Sequence, residues 1–125
     1  MTQTLVVDGA NVVGSRPDGW WKDRAGAARR LHEGLLVADT AYDEIVLVLE
    51  GAAKPGVRAG TDGHVRTVHA QGSGDDTIVA EARGAAEDGA RVSVVTADRA
   101  LRARVEGVGA IALGPSWLLD QLPGR

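Results

Sequence analysis

The feature that most constrains the fold is an alternation of short apolar runs with longer stretches of helical periodicity. Residues 5–7 and 45–49 are uninterrupted aliphatic runs, and residues 92–96 form a third, predominantly apolar run. Strands that are apolar on both faces are typical of a parallel sheet covered by helices on both sides. The pattern therefore predicts an α/β fold, a three-layer α/β/α sandwich with a mostly parallel sheet of about five strands.

The helical periodicity is clearest over residues 20–38, where apolar residues recur at spacings of three and four. This pattern predicts an amphipathic helix that carries Trp21 on its buried face and starts just after Pro17 and Asp18. The other predicted elements are an edge strand over 64–70, a helix opening at 73–76, a short basic helix over 98–106, a strand over 109–113 and a helix over 115–122.

The segment 51–63 breaks the alternation. It holds four glycines and Pro55 and shows no helical period. Such a composition is typical of a connecting loop, so we predict a mobile loop there and no crossover helix. Lys54 and Arg58 on this loop are candidates either to fold over a bound ligand or to remain solvated.

Length and composition bound the class of protein. The 125 residues suit one domain over 1–125, and a hydrophobic fraction of 44% with a charged fraction of 25% is ordinary for a globular protein. The absence of cysteine excludes disulfides, Cys-ligated zinc, iron–sulfur clusters and thiol nucleophiles. The sequence has no long apolar run and no basic, apolar start, so we expect a cytoplasmic protein without a membrane partner.

Acidic residues collect where the predicted strands end. Asp8 and Glu50 follow the first two apolar runs, Asp98 lies just beyond the third, and Asp75 and Asp76 open a helix. The carboxyl ends of parallel strands share one edge of the sheet, so these carboxylates are expected to meet in one cleft. Their mutual repulsion is relieved by hard cations that take oxygen ligands, which predicts a Mg²⁺ or Mn²⁺ site.

Each acid also has a structural interpretation when it is taken alone. Asp8 with Gly9 could form a turn, Asp75 and Asp76 could favour the helix dipole, and Asp98 could be an N-cap. The coincidence of acids at several strand ends and at a helix start favours the metal cluster over these separate roles.

The charge balance fits an anionic substrate. Without the five acids named above, the formal net charge of −3 becomes +2, and the remainder is rich in arginine. A basic body around an acidic, metal-loaded cleft suits a phosphodiester, whose phosphates would bind basic residues such as Arg16 and Lys22. In two-metal chemistry one cation activates water for in-line attack and the other stabilises the leaving oxygen.

Three motifs carry a resemblance to a known family. Residues 6–14 (VVDGANVVG) resemble the opening D-G-x-N motif of NYN domains, which belong to the PIN-like ribonuclease superfamily, and of their YacP-like branch in particular. Residues 74–78 (GDDTI) resemble that family's A/G-D-D-x-I helix start, and residues 95–101 (VTADRAL) resemble its V-T-S-D-R-E-L motif. The motifs occur in the family's order and together span nearly the whole chain.

The resemblance implies a PIN-like fold and metal-dependent cleavage of RNA, and we expect the RNA to be single-stranded. It implies that the core metal ligands and catalytic residues are Asp8, Asp76 and Asp98, with Asp75 as a further ligand or water-mediated contact. It also implies roles in orienting the site or contacting phosphate for Asn11, Ser73, Thr96 and Arg99. The chain departs from the expected pattern at Glu50, where the family leads us to expect aspartate, so Glu50 binds metal directly, through water or not at all.

The aromatic residues and histidines admit fewer inferences. Trp21 and Trp117 lie on apolar stripes and are predicted to pack in the core, whereas Trp20 lies off the stripe, where it could stack on a base. His32, His64 and His69 are expected on the surface or in strands, because no spacing among them suggests a metal pair or a catalytic dyad.

Other functions stay open at this point. The first is a non-catalytic module that binds RNA or a protein partner and keeps the PIN-like fold without efficient cleavage. Whether the domain forms a homodimer also stays open. An aspartyl phosphatase is disfavoured because Ala10 occupies the place of its second acid. A dinucleotide-binding domain is disfavoured because no G-x-G-x-x-G follows the first strand.

Overall fold

Six strands form one twisted sheet in the computed structural model, which describes residues 1–123. The strands are β1 (Gln3–Asp8), β2 (Glu44–Leu49), β3 (Gly60–Asp62), β4 (Val65–His69), β5 (Arg91–Val95) and β6 (Ile111–Leu113). Their order across the sheet is β3-β4-β2-β1-β5-β6. All neighbours are parallel except β3, which runs antiparallel to β4.

Helices cover both faces of the sheet. They are α1 (Gly9–Gly14), α2 (Arg24–Val37), α3 (Gly74–Glu87), α4 (Arg99–Glu106) and α5 (Pro115–Gln121). The first, second and fifth helices pack on one face, and α3 and α4 pack on the other. Leu5 and Val7 of β1 enter the first core and Val6 enters the second, which explains why the strand is apolar throughout. The predicted α/β/α sandwich is confirmed.

The strand order reverses at β1, in the centre of the sheet. The chain moves outward from β1 through β2 to β4, then returns to the other side of β1 to form β5 and β6. In open α/β sheets, ligands bind beyond the carboxyl ends of the strands at such a switch point. Asp8 ends β1, and Thr96 and Asp98 follow β5, so the topology places these residues beside each other at that edge.

The segment predicted as a mobile loop is structured, and that prediction was wrong. Residues 51–56 form a 3₁₀ turn, and residues 60–62 form β3, the sixth strand at the edge of the sheet. Two side chains hold the segment against β4 and its end. Lys54 Nζ donates to the carbonyl oxygen of Ala70 at 2.9 Å, and His69 Nε2 lies 2.7 Å from the carbonyl oxygen of Val57. The local sequence could not indicate this order, because the contacts that hold the segment join it to residues in and just after β4.

The helix predicted over 20–38 begins later than its periodicity indicated. A 3₁₀ turn occupies residues 20–22, and α2 starts only where the Asp23 carboxylate accepts a hydrogen bond from Gly26 N–H at 2.9 Å. The α-helical period does not extend through the turn, so Trp21 is 57% exposed and its predicted core role was wrong. Trp20 packs partly against the core instead.

The short helix α1 was not predicted, because the sequence there also fits a turn. Asp8 caps it by accepting a hydrogen bond from Asn11 N–H at 3.3 Å. Gly9 is required by close packing, since a Cβ at this position would lie 2.6 Å from the carbonyl oxygen of Val48. Among the helices of residues 1–123, none combines the length and the apolar character needed to cross a membrane.

Candidate active site

The Asp8 carboxylate lies at the centre of the carboxyl edge of the sheet and is 8% exposed. One of its oxygens accepts a hydrogen bond from the Thr96 hydroxyl at 2.9 Å, and the other accepts from Asn11 N–H. Two strands and one helix therefore fix its position. The side chain is held without an ion pair in the described part of the chain, which leaves its charge uncompensated.

Two polar side chains link the ends of β1 and β5. The Thr96 hydroxyl, which donates to Asp8, also accepts a hydrogen bond from Asp98 N–H at 3.2 Å. The Asn11 side-chain oxygen accepts from Ala97 N–H at 2.9 Å. Thr96 is fully buried. These bonds join residues from two of the three sequence motifs and hold Asp8 and Asp98 at neighbouring positions.

The Asp98 side chain has a capping role as well as a place in the cluster. Its Oδ1 accepts a hydrogen bond from Leu101 N–H at 3.0 Å and so caps α4. The N-cap interpretation and the cluster interpretation are therefore compatible for this residue, because the cap uses one oxygen while the charge of Asp98 still acts on Asp75.

Glu50 connects the end of β2 to the start of α3. Its Oε2 accepts a hydrogen bond from the backbone N–H of Gly74. Ser73, the N-cap residue, makes no side-chain hydrogen bond to α3, so Glu50 supplies the side-chain cap of this helix.

The two neighbouring aspartates of α3 have different surroundings. Asp76 is 88% exposed and its Oδ1 accepts from Arg104 Nη2 of α4 at 2.8 Å. Asp75 is half-buried and interacts electrostatically with Asp8, Asp98 and Glu50. Asp75, rather than Asp76, is the member of the pair that faces the other acids in this structure.

The electrostatics of the cluster appear in two raised pKa values. Burial raises the pKa of the Asp8 carboxyl, the hydrogen bonds from Thr96 and Asn11 N–H offset part of that rise, and the charges of Asp75 and Glu50 add to it. Burial also raises the pKa of Asp75; Asp98, Glu50 and Asp76 raise it further, and Arg104 lowers it. Four of the predicted acids therefore repel one another across this edge.

The donor set fits a hard divalent cation in its chemistry. All the donors are carboxylate oxygens, which Mg²⁺ and Mn²⁺ prefer, and the repulsion among them is what a cation would relieve. Within residues 1–123, however, no three Asp, Glu or His side chains already converge closely enough to hold an ion. Glu50, Asp8 and Asp98 each use an oxygen for a hydrogen bond to backbone N–H instead.

The basic residues predicted to bind substrate are less closely tied to the cluster. Arg99 is exposed at the first position of α4, directly after Asp98, and Lys22 is exposed in the 3₁₀ turn before α2. Arg16 is half-buried beside Val12 and Val13. The described residues show no ion pair or side-chain hydrogen bond from these three to the acids.

Sequence reasoning missed a pocket that opens next to the acids. Its lining combines small and apolar residues of α1 and the two 3₁₀ turns with the carboxylate that follows β2. These residues include Gly9, Ala10, Val13, Trp20, Ala53 and Glu50. Arg24 lies over the Trp20 ring, with its guanidinium carbon 5.2 Å from the ring centroid. The spacing of four residues between Trp20 and Arg24 is the only local signal of this contact.

Comparison with known proteins identifies the fold. No model of a known protein family matches the sequence, and no curated protein matches it. Among solved structures, the chain is similar to Rae1 (YacP) from Bacillus subtilis, with a TM-score of 0.65 and 19% identity over 95% of this chain and 72% of that one. The W164L mutant of the same protein gives a TM-score of 0.64 and 20% identity over 95% and 74%. The likeness is one of fold, and the protein therefore has a YacP-like fold.

Proposed function

We propose that the protein is a divalent-metal-dependent endoribonuclease that acts on single-stranded RNA in the cytoplasm. The observation that carries the proposal is the set of uncompensated carboxylates from four elements at the switch point of a YacP-like fold. The resemblance of the three sequence motifs to PIN-like ribonucleases supports the same conclusion. Perturbed carboxylates that gather at such an edge are characteristic of functional sites.

Asp8, Asp75 and Asp98 are the residues that we propose to hold Mg²⁺ or Mn²⁺, with Glu50 as a further donor. Asp76 was also predicted as a ligand, and in that role it would have to leave Arg104. When bound, the cation supplies a nucleophilic water at neutral pH and stabilises charge on the leaving oxygen.

The remaining residues of the site position these donors and the substrate. Thr96 and Asn11 hold the Asp8 carboxylate and the 97–98 backbone in fixed relation, which is the role of outer-shell hydrogen bonds in metal sites. Arg99, next to Asp98, is exposed and oriented from the first turn of α4, where it is available to a phosphate of the bound strand.

The test is cleavage of end-labelled single-stranded RNA in the presence of Mn²⁺, with EDTA in a parallel reaction. The Asp8→Asn variant keeps the shape of the side chain and an oxygen that can cap α1, so we expect it to fold. Asp39→Asn, at an exposed position between α2 and β2, removes one negative charge far from the motifs and is the matched control.

We expect cleavage by the wild type and by Asp39→Asn, and none by Asp8→Asn or in EDTA. Cleavage that survives Asp8→Asn would place the activity elsewhere, or in a contaminant. Intact RNA with folded wild-type protein in Mn²⁺ would exclude the nuclease.

A non-catalytic RNA-binding module is the second candidate. It is favoured by the hydrogen bonds that now occupy Glu50, Asp8 and Asp98 and by the absence of a converged ligand set among residues 1–123. Its signature would be RNA that binds with a steep dependence on salt concentration and remains intact with every divalent metal.

A further inference from the structure

We infer that the pocket beside Trp20 is a subsite that receives one nucleobase of a single-stranded RNA, next to the phosphate that a cation would hold at the acidic cluster. The inference deepens the proposed function and rests on the RNA-binding part of it. It does not require that the RNA be cleaved.

The position of the pocket is the first argument. It is lined by Gly9, which directly follows Asp8, and by Glu50, which belongs to the acidic cluster. A chain whose phosphate lies at Asp8 would therefore have a neighbouring base within reach of this opening. A larger pocket, near Arg66, lies by contrast between α3 and the first residues of the strands, away from the cluster around Asp8.

The size and lining of the pocket suit a flat ring. Its volume is about 120 Å³. Sites that enclose drug-sized ligands typically measure about 300–1,000 Å³, so this one has room for a ring and not for a whole nucleotide. Gly9, Ala10 and Ala53 have little or no side chain, which leaves open the space that the bulky Trp20 ring borders.

The Trp20 ring is prepared for stacking. Its partial packing against the core holds the ring at the pocket. Arg24 lies over the ring and also lines the pocket, so a planar cation accompanies the aromatic surface. An aromatic ring with an arginine beside it is the usual stacking platform for single-stranded nucleic acid.

Trp21 offers a matched control. It adjoins Trp20 in the same 3₁₀ turn, but it is exposed and does not line the pocket. We would measure equilibrium binding of a fluorescent oligoadenylate of about ten nucleotides, a length within the usual range for one single-strand site. The buffer contains Ca²⁺, a hard cation suited to carboxylate donors, in place of Mn²⁺. Recovery of the intact oligomer shows that binding is measured apart from cleavage.

Trp20→Ala is expected to weaken binding by about 5- to 150-fold, the range for loss of one base–aromatic stack. Trp20→Phe retains a ring and should recover most of the affinity, and Trp21→Ala should bind as the wild type does. Equal affinities of Trp20→Ala and Trp21→Ala, or no binding by the wild type, would overturn the inference. RNA binding that is unchanged by Trp20→Ala would mean that the pocket binds a protein side chain and not a base.

Because Trp20 packs partly in the core, a second measurement changes the RNA instead of the protein. One base at a time is replaced by an abasic unit. At one position the replacement should weaken binding to the wild type but should not weaken binding to Trp20→Ala any further. An even loss at all positions would contradict a single base subsite. Trp20-dependent binding without cleavage would reject the nuclease and keep the subsite, and cleavage with a KM unaffected by Trp20→Ala would do the reverse.

Discussion

Carboxylates at the two ends of the sheet have opposite surroundings. Toward the amino ends of the strands, Glu44 and Glu81 share Arg66, whose guanidinium lies 3.3 Å from the first and 2.7 Å from the second. At the carboxyl ends, Asp8 and Asp75 face other acids, and burial together with those charges raises their pKa values.

The difference is whether the fold supplies a counter-charge to each carboxylate. At Arg66 the charges satisfy one another, and the hydrogen bond that the guanidinium donates to Glu81 raises its pKa, so the arrangement is stable as it stands. At Asp8 the fold retains a repulsion that only an external cation or a proton would remove. A carboxylate that lacks a counter-charge within the fold is therefore a better candidate for a functional site than one that has its counter-charge.

The largest expected effect separates Asp75 from Asp76. Asp75→Asn should lower Mn²⁺-dependent cleavage by more than about 100-fold, since even outer-shell partners of metal ligands typically contribute 10- to 100-fold. Asp76→Asn, which removes a carboxylate that faces Arg104, should lower cleavage by less than about 10-fold. Initial rates of RNA cleavage by both variants measure the difference. The reverse order would return the principal ligand role to Asp76, as the motif resemblance implies.

Thermal stabilisation by Mn²⁺ is the next largest effect. At about 100 times its dissociation constant, a ligand that binds only the folded state adds about 2.7 kcal/mol, or roughly 10 °C in Tm for a chain of this size. Differential scanning fluorimetry with and without Mn²⁺ measures this shift, which Asp8→Asn should largely remove. A wild-type Tm that ignores millimolar Mn²⁺ would argue that the acids hold no cation.

Removing the ion pairs of Arg66, at the amino ends of the strands, should lower the stability of the fold without affecting cleavage. Arg66→Ala leaves Glu44 and the half-buried Glu81 without their cation, and we expect a loss of about 1–2 kcal/mol in the free energy of unfolding. Arg104→Ala is the control, because its partner Asp76 is exposed and the pair should contribute less than about 0.5 kcal/mol. Urea denaturation distinguishes the two, and equal losses would show that burial does not decide the strength of these ion pairs.

The smallest effect concerns pH in metal-free buffer. Asp8 and Asp75 have a raised pKa in the folded state, so folding favours their protonated forms. The stability that protonation contributes is lost as pH rises through the folded pKa values, above the ordinary value of 3.8. Lowering the pH from about 7 toward those folded pKa values should therefore raise the Tm, and more for the wild type than for Asp75→Asn.

At neutral pH the Asp75→Asn variant should itself melt roughly 1–3 °C above the wild type without metal, as befits a change within about 0.5 kcal/mol. Melting curves in EDTA across this pH range measure both differences. A variant that melts well below the wild type would mean that the Asp75 carboxylate stabilises the fold.

Much of the site was visible in the sequence, but its internal assignments were not. The acids at strand ends predicted the edge of the sheet at which they gather, because parallel strands align their carboxyl ends. The sequence did not indicate that Glu50 caps α3 in place of Ser73, or that Asp76 turns outward to Arg104. Those outcomes depend on how α3 sits against β2 and α4, which neighbouring residues in the chain do not encode.

The two tryptophans show the same limit on a smaller scale. Helical periodicity placed Trp21 in the core and Trp20 outside, and the structure reverses them because Asp23 starts α2 after a 3₁₀ turn. A shift of a few residues in a helix start rotates every side chain before it to another face. The pocket beside Trp20 was invisible for this reason.

The sequence by itself determined the layered α/β fold and the edge at which its acids gather, since apolar periodicity decides which faces are buried. Tertiary structure alone decided which acids keep an uncompensated charge, where the sixth strand forms and which tryptophan borders a pocket. The physical reason is that local apolar periodicity indicates which face of an element is buried, whereas the counter-charges and hydrogen-bond partners of its residues come from elements distant in the chain.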